Sequence, residues 1–182
     1  MIDRLHKLAT RRNVVILLVL DFIMMLGVMP YMGKRLNSVA EGIRPLDTVI
    51  PTYSPPYAHE TIAAYGAEGR SVYQSILLGV DILYPIIYGF AFALLLAYLW
   101  PRIATGVRWL RWLPVVPLLG MLFDFGENLS IVGLLIQFPA QTEGVARLAG
   151  FFSLMKWTFT VLTFGLILTG LNGLLIRWLR SR

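Results

Sequence analysis

The chain has no cysteine, so disulfides, quinone-coupled dithiol chemistry and thiolate metal sites are excluded. Histidine is almost as scarce. His6 and His59 are the only two, and the topology derived below puts them at opposite ends, which argues against haem held by paired histidines. The sequence also lacks an HExxH pair for zinc, a G-x-S-x-G nucleophile elbow and a glycine-rich phosphate loop. Redox and ATP-driven roles therefore lack their machinery, and neither a cofactor nor a metal is expected. Charge is sparse too: 14% of residues are charged and 57% hydrophobic, a balance far more apolar than that of a soluble domain.

In place of charge there are long apolar runs. Residues 13–32, 71–100, 113–138 and 149–175 each supply the roughly 20 helical residues needed to cross a hydrocarbon core of about 30 Å. The runs show no period-two alternation, so they read as helices and not as barrel strands. Links 101–114 and 139–144 are short, which makes successive helices antiparallel neighbours. The predicted fold is an all-α integral membrane protein, one domain over residues 1–182, with four transmembrane helices in an antiparallel bundle. Ser38-Val39-Ala40 imitates a cleavage site but lies too far from the first run, which is expected to stay as an anchor.

Basic residues orient the bundle. Arg4, Lys7, Arg11, Arg12, Arg102, Arg108, Arg111, Arg177, Arg180 and Arg182 share one side with a single acid, Asp3. On the other side Lys34, Arg35, Arg44, Arg70 and Arg147 are balanced by Glu41, Asp47, Glu60, Glu68 and Glu143. Cytoplasmic loops are enriched in Lys and Arg, so both termini are expected inside the plasma or inner membrane. Trp100, Trp109, Trp112 and Trp178 fall at the same boundary, where amphipathic rings settle. The net charge of +6 then reads as a basic rim on anionic lipid headgroups, and no nucleic-acid partner is needed to explain it. Residues 1–12 alternate Ile2, Leu5 and Leu8 with basic groups, a pattern that suits a short helix lying on the inner surface.

The extracytoplasmic loop, residues 33–70, is too long to be a mere connection. Ser54 followed by Pro55 and Pro56 reads as a helix start and Gly66 as a stop, which predicts a short helix of about ten residues. Ser71 and Gln74 read as a capping box opening the second span. This loop is either a lid over a cavity or a packed cap that seals helix ends. Within the second span, Pro85 removes an amide donor four residues past Asp81 and is expected to bend the helix.

Four carboxylates interrupt the apolar runs, Asp21, Asp81, Asp124 and Glu127, and Lys156 is the one cation among them. Such groups cost roughly 2.5 to 3.5 kcal/mol each at mid-bilayer and usually face a bundle interior. At 1.5 Å per helical residue all five fall between about 10 and 21 Å from the outer helix ends. Asp124, Glu127 and Asn128 share one face of the third span. Asp81, Tyr84 and Tyr88 share a face of the second, and Ser153, Lys156, Thr160 and Thr163 a face of the fourth. The candidate site is thus Asp21, Asp81, Tyr84, Asp124, Glu127, Asn128 and Lys156, with Lys156 paired to Glu127 or Asp81. One lysine cannot balance four acids: some carboxyls are neutral, a cation binds, or water reaches them. His59-Glu60 reads as solvated loop, and Met24, Met25 and Met29 as packing.

Three functions fit this pattern. The first is a binding or transport module for a proton, a cation or an amphipathic ligand. The second is a lipid- or isoprenoid-modifying enzyme using Asp124 or Glu127 as acid or base and Lys156 to steady an anionic headgroup. The third is a structural or accessory subunit whose polar layer fixes helix register. Expected partners are membrane lipids, a lipid or small-molecule ligand, and a membrane-protein partner or a second copy of the chain. A dry, fully paired interior would mark the third, a cavity opening outward or into the outer leaflet the first, and a carboxyl within hydrogen-bond reach of a bound substrate the second.

Overall fold

A computed structural model describes residues 2–104 and 106–181. The described residues form helices and turns and contain no strand. Four helical stretches are long and apolar enough to cross a membrane, Arg11–Asn37, Gly66–Arg102, Arg108–Gln137 and Glu143–Arg180, which marks a membrane protein.

A first helix, α1 (Ile2–Leu8), precedes them. Its Ile2 and Leu5 are buried against Val14 and Leu94, while Leu8 is exposed. Arg111 ties it down by pairing with Asp3 and by lending its carbonyl to His6 Nε2 at 3.1 Å. Thr10 then caps α2 (Arg11–Ile23) by accepting the amide of Asn13, as a β-region N-cap side chain does. A wide π turn (Met24–Val28) links α2 to α3 (Met29–Asn37). The helix thus runs through Gly33, Lys34 and Arg35, past the expected end of the apolar run, and the following loop is correspondingly shorter.

Chain 38–54 crosses the end of the molecule with a single 3-10 turn, Leu46–Thr48. Ser54 accepts the amide of Tyr57 and opens α4 (Pro55–Ala64), with prolines at the first two positions, where no amide donor is missed. Gly66, at φ +66°, supplies the left-handed residue that turns α4 into α5 (Gly66–Leu78). This overturns the reading of Ser71 as a cap. Residues 67–70 continue the helix, so Ser71 lies inside α5, where its carbonyl accepts the Ser75 hydroxyl at 2.9 Å.

The second long stretch also breaks earlier than Pro85. Gly79 adopts φ −103° and ψ −98° between α5 and α6 (Val80–Leu99), and a Cβ there would meet the Ser75 carbonyl at 2.9 Å. The remaining long helices are α7 (Val115–Gln137) and α8 (Glu143–Arg180). α7 packs most extensively on α8, and α6 packs on α2 and α7.

The main hydrophobic cluster lies under the cap, not at mid-helix. Leu46 and Ala58 are fully buried, and Ile62, Tyr65 and Tyr73 nearly so, against Leu77, Ile131, Leu134, Ala146 and Ala149 of α5, α7 and α8. Burying a side chain of this size contributes about 1.5 to 3 kcal/mol, so residues 38–65 form a packed cap. The first stretch is the opposite case: only 11% of its most apolar window is buried, against 44% for the second and third. Val15, Val19, Phe22, Ile23 and Leu26 of that stretch are exposed.

Candidate functional site

Lys156, on α8, is surrounded by acceptor oxygens from two segments, α7 and the cap. Its Nζ lies 2.5 Å from Glu127 Oε2, 3.6 Å from Asp124 Oδ1 and 2.8 Å from the backbone carbonyl of Asp47. A lysine ammonium has three donors and no acceptor; Glu127 and the Asp47 carbonyl lie at hydrogen-bond distance, and Asp124 adds an ion pair. Glu127 is completely buried and Lys156 is 7% exposed. Asp81 does not pair with Lys156, contrary to one of the two partners expected for it. The i, i+3 spacing of Asp124 and Glu127 instead presents both carboxylates of α7 to α8.

The break made by Pro85 is repaired from a neighbouring helix. Proline at 85 leaves the Asp81 carbonyl without its i+4 amide. The side chain of Asn128 takes that place, donating from Nδ2 to Asp81 O at 3.2 Å. Leaving a buried carbonyl bare costs about 1 to 3 kcal/mol, so Asn128 clamps α6 to α7 at the level of the site.

A cavity of about 370 Å³ opens on the other side of Lys156. All four long stretches wall it: Asp21, Met25 and Met29 from the first, Asp81, Tyr84, Tyr88 and Phe92 from α6, Pro117, Gly120 and Asp124 from α7, and Lys156, Trp157, Thr160, Thr163 and Phe164 from α8. Asp47 and Thr48 of the cap also line it. Of the residues singled out from sequence, Asp21, Asp81, Tyr84, Asp124 and Lys156 line this space. Glu127 and Asn128 do not; they stand behind Lys156 and Asp81. His59 and Glu60 lie away from it.

Asp47 is the residue that sequence reasoning missed. In the sequence it reads as a loop acid, yet its carbonyl holds Lys156 and its carboxylate accepts the Tyr73 hydroxyl. Its amide donates back to that hydroxyl oxygen at 3.3 Å. Burial, reinforced by the Asp47 carboxylate, pushes the neighbouring Tyr65 phenol up from its ordinary value. Tyr65 therefore stays protonated and donates to the Arg44 carbonyl at 2.9 Å. The cap is also seated on α8, where Thr52 donates to the Gly150 carbonyl at 2.6 Å. A Cβ at Gly150 would come within 2.5 Å of the Tyr53 carbonyl oxygen.

Tyr88 donates to Asp124 Oδ2 at 2.8 Å, which leaves Asp124 shared between that phenol and Lys156. Asp21 Oδ1, Glu127 Oε1, Asn128 Oδ1 and Ser153 Oγ are buried without a hydrogen-bond partner among the described residues. Neither Asp21 nor Asp81 has an ion-pair partner among them. No three acidic or histidine side chains among the described residues converge closely enough to hold a metal ion. Met25 and Met29, read from sequence as packing, are part of the cavity wall. No family model, curated protein or solved structure matches the chain, so its functional reading rests on this geometry.

Proposed function

We propose that the protein is a small membrane-embedded binding module whose cavity takes an amphipathic ligand, polar end towards the acidic layer and apolar body among Phe92, Phe164 and the methionines. The carrying observation is the cavity itself, walled by all four long apolar stretches and lined by Asp21 and Trp157, whose Oδ1 and Nε1 are buried without a hydrogen-bond partner among the described residues. Its size falls within the roughly 300 to 1,000 Å³ of small-molecule sites. Uncompensated polar atoms in a dry interior cost free energy, and a ligand or water that satisfied them would recover it.

In this reading the four helices run antiparallel through the plasma or inner membrane with both termini cytoplasmic, which the clustering of Arg and Lys on one side supports. The cap, including α4, lies on the extracytoplasmic side over the cavity. Passage of the ligand from one leaflet or face to the other belongs to the same proposal, because the site sits in the outer half of the bundle. Two observations disfavour the other functions. Lys156 is already engaged by the Glu127 carboxylate and the Asp47 carbonyl, so an anionic substrate headgroup finds no free cation there. A subunit whose polar layer only set helix register would not need an open cavity.

Filling the space tests the proposal. Met25 lines the cavity and is 42% exposed, so Met25→Trp can add bulk at its edge without demanding room in a packed core. Native mass spectrometry of the full chain released from detergent micelles should show a bound small molecule in the wild type, reduced at least tenfold in Met25→Trp at unchanged helix content. Equal ligand in both proteins, or none in the wild type after incubation with a membrane extract, sinks the proposal.

A further inference from the structure

We infer that the ligand of this cavity is a hydrophobic organic cation, a protonated amine or quaternary onium group on an apolar body; this rests on the binding reading above. The charge of the walls is the first ground. Asp21, Asp47, Asp81 and Asp124 face the space from four separate segments. Lys156 is their one cation, and it is already engaged by Glu127 from behind and by Asp124. Asp47 is bonded to Tyr73. Asp21 and Asp81, both 5% exposed, have no ion pair among the described residues. Asp21 presents a buried oxygen with no partner among the described residues, which is the vacancy a positive centre would fill.

The second ground is the rest of the lining. Tyr84, Tyr88 and Phe92 recur every four residues on one face of α6, with ring centroids 5.4 and 6.3 Å apart, and Phe92 meets Phe164 of α8 at 5.3 Å. Aromatic faces attract cations through the ring quadrupole, most strongly away from water. Thioether sulfurs of Met25 and Met29 add a soft, adaptable surface. A small inorganic ion would need carboxylates converging on one point. These acids are instead spread around a space of about 370 Å³, which suits a positive charge carried on a larger body. An anionic amphiphile would meet the same carboxylates as repulsion.

Two probes of nearly equal size and opposite charge separate the cases: tetraphenylphosphonium and tetraphenylborate, with triphenylphosphine oxide as the neutral control. Equilibrium dialysis against the full chain in nanodiscs should give saturable tetraphenylphosphonium binding that Met25→Trp abolishes, and no saturable tetraphenylborate binding. Asp21→Asn should weaken the cation at least tenfold while leaving circular dichroism and gel-filtration behaviour intact. The isostere comparison needs only wild-type protein and decides the question even if that variant misfolds. Saturable, Met25→Trp-sensitive binding of the anion or the neutral probe at equal strength overturns the cation assignment but leaves the binding module standing. If no probe binds in a Met25→Trp-sensitive way, both fall together. Undiminished cation binding by a folded Asp21→Asn overturns the assignment alone.

Discussion

Behind Lys156 the carboxylate of Glu127 and the amide of Asn128 are locked to specific partners on α8 and α6. Across the cavity Asp21 belongs to the same residue class at the same depth of burial, yet has no ion-pair partner among the described residues. The difference follows from packing. α7 is pressed between α6 and α8, whereas the first stretch leaves most of its apolar surface outside the molecule. The Glu127 carboxylate and the Asn128 amide in the tight wall therefore serve the architecture, and Asp21 on the loose wall is left to meet something that arrives.

Substitution of the tight wall should have the largest effect. Lys156→Ala strands Glu127 as a buried charge, which should cost about 3 to 5 kcal/mol, read as a lower thermal unfolding midpoint in detergent. Adding Glu127→Gln should recover part of that loss, because the two sites act as one unit. If the double variant is as unstable as the sum of the singles, the pair is not the unit described here.

The Asn128 clamp comes next. Asn128→Ala should cost about 1 to 3 kcal/mol by leaving the Asp81 carbonyl bare. Pro85→Ala restores an amide able to reach that carbonyl, so a double-mutant cycle should give a coupling of opposite sign to the clamp loss. Zero coupling would break the link between Pro85 and Asn128.

Tyr73→Phe removes the phenol that both accepts from and donates to Asp47, and should lower stability by about 1 kcal/mol. Faster proteolysis within residues 38–54 should accompany it, because the cap loses an anchor. The loose wall should respond least. Asp21→Asn is expected to change the unfolding midpoint by the equivalent of no more than about 0.5 kcal/mol, despite its burial, and a large drop there would erase the contrast between the two walls.

Apolar run length made the four long helices legible in the sequence, because crossing distance and helical rise leave few alternatives. Depth along those helices also put Asp81, Asp124, Glu127 and Lys156 at one level. Helical spacing groups side chains on one face of each helix, but it does not give the rotation of one helix against another, so sequence admits Asp81 beside Glu127 as a partner of Lys156. Asp47 was invisible for another reason. An irregular segment has no period to read, and its acid contributes a backbone oxygen, a group every residue carries. Ser71 misled because a capping-box pattern is local, whereas Gly66 allowed the helix to start one turn sooner. The π turn at Met24–Val28 left no recognisable signature, so the contribution of Met25 and Met29 to the cavity wall was read as filler.

The bare α-carbon at Gly150 works like an empty keyway. With only a hydrogen at that spot, the backbone of residues 52 and 53 can rest directly on α8, in a gap where a methyl group would collide with the Tyr53 carbonyl. Adding one carbon there would jack the strap off its seat, and the Asp47 oxygen gripping Lys156 from above is part of the same strap. Residues remote along the chain are in this way mechanically geared, so the smallest side-chain change on α8 reaches the roof of the chamber as well as its wall.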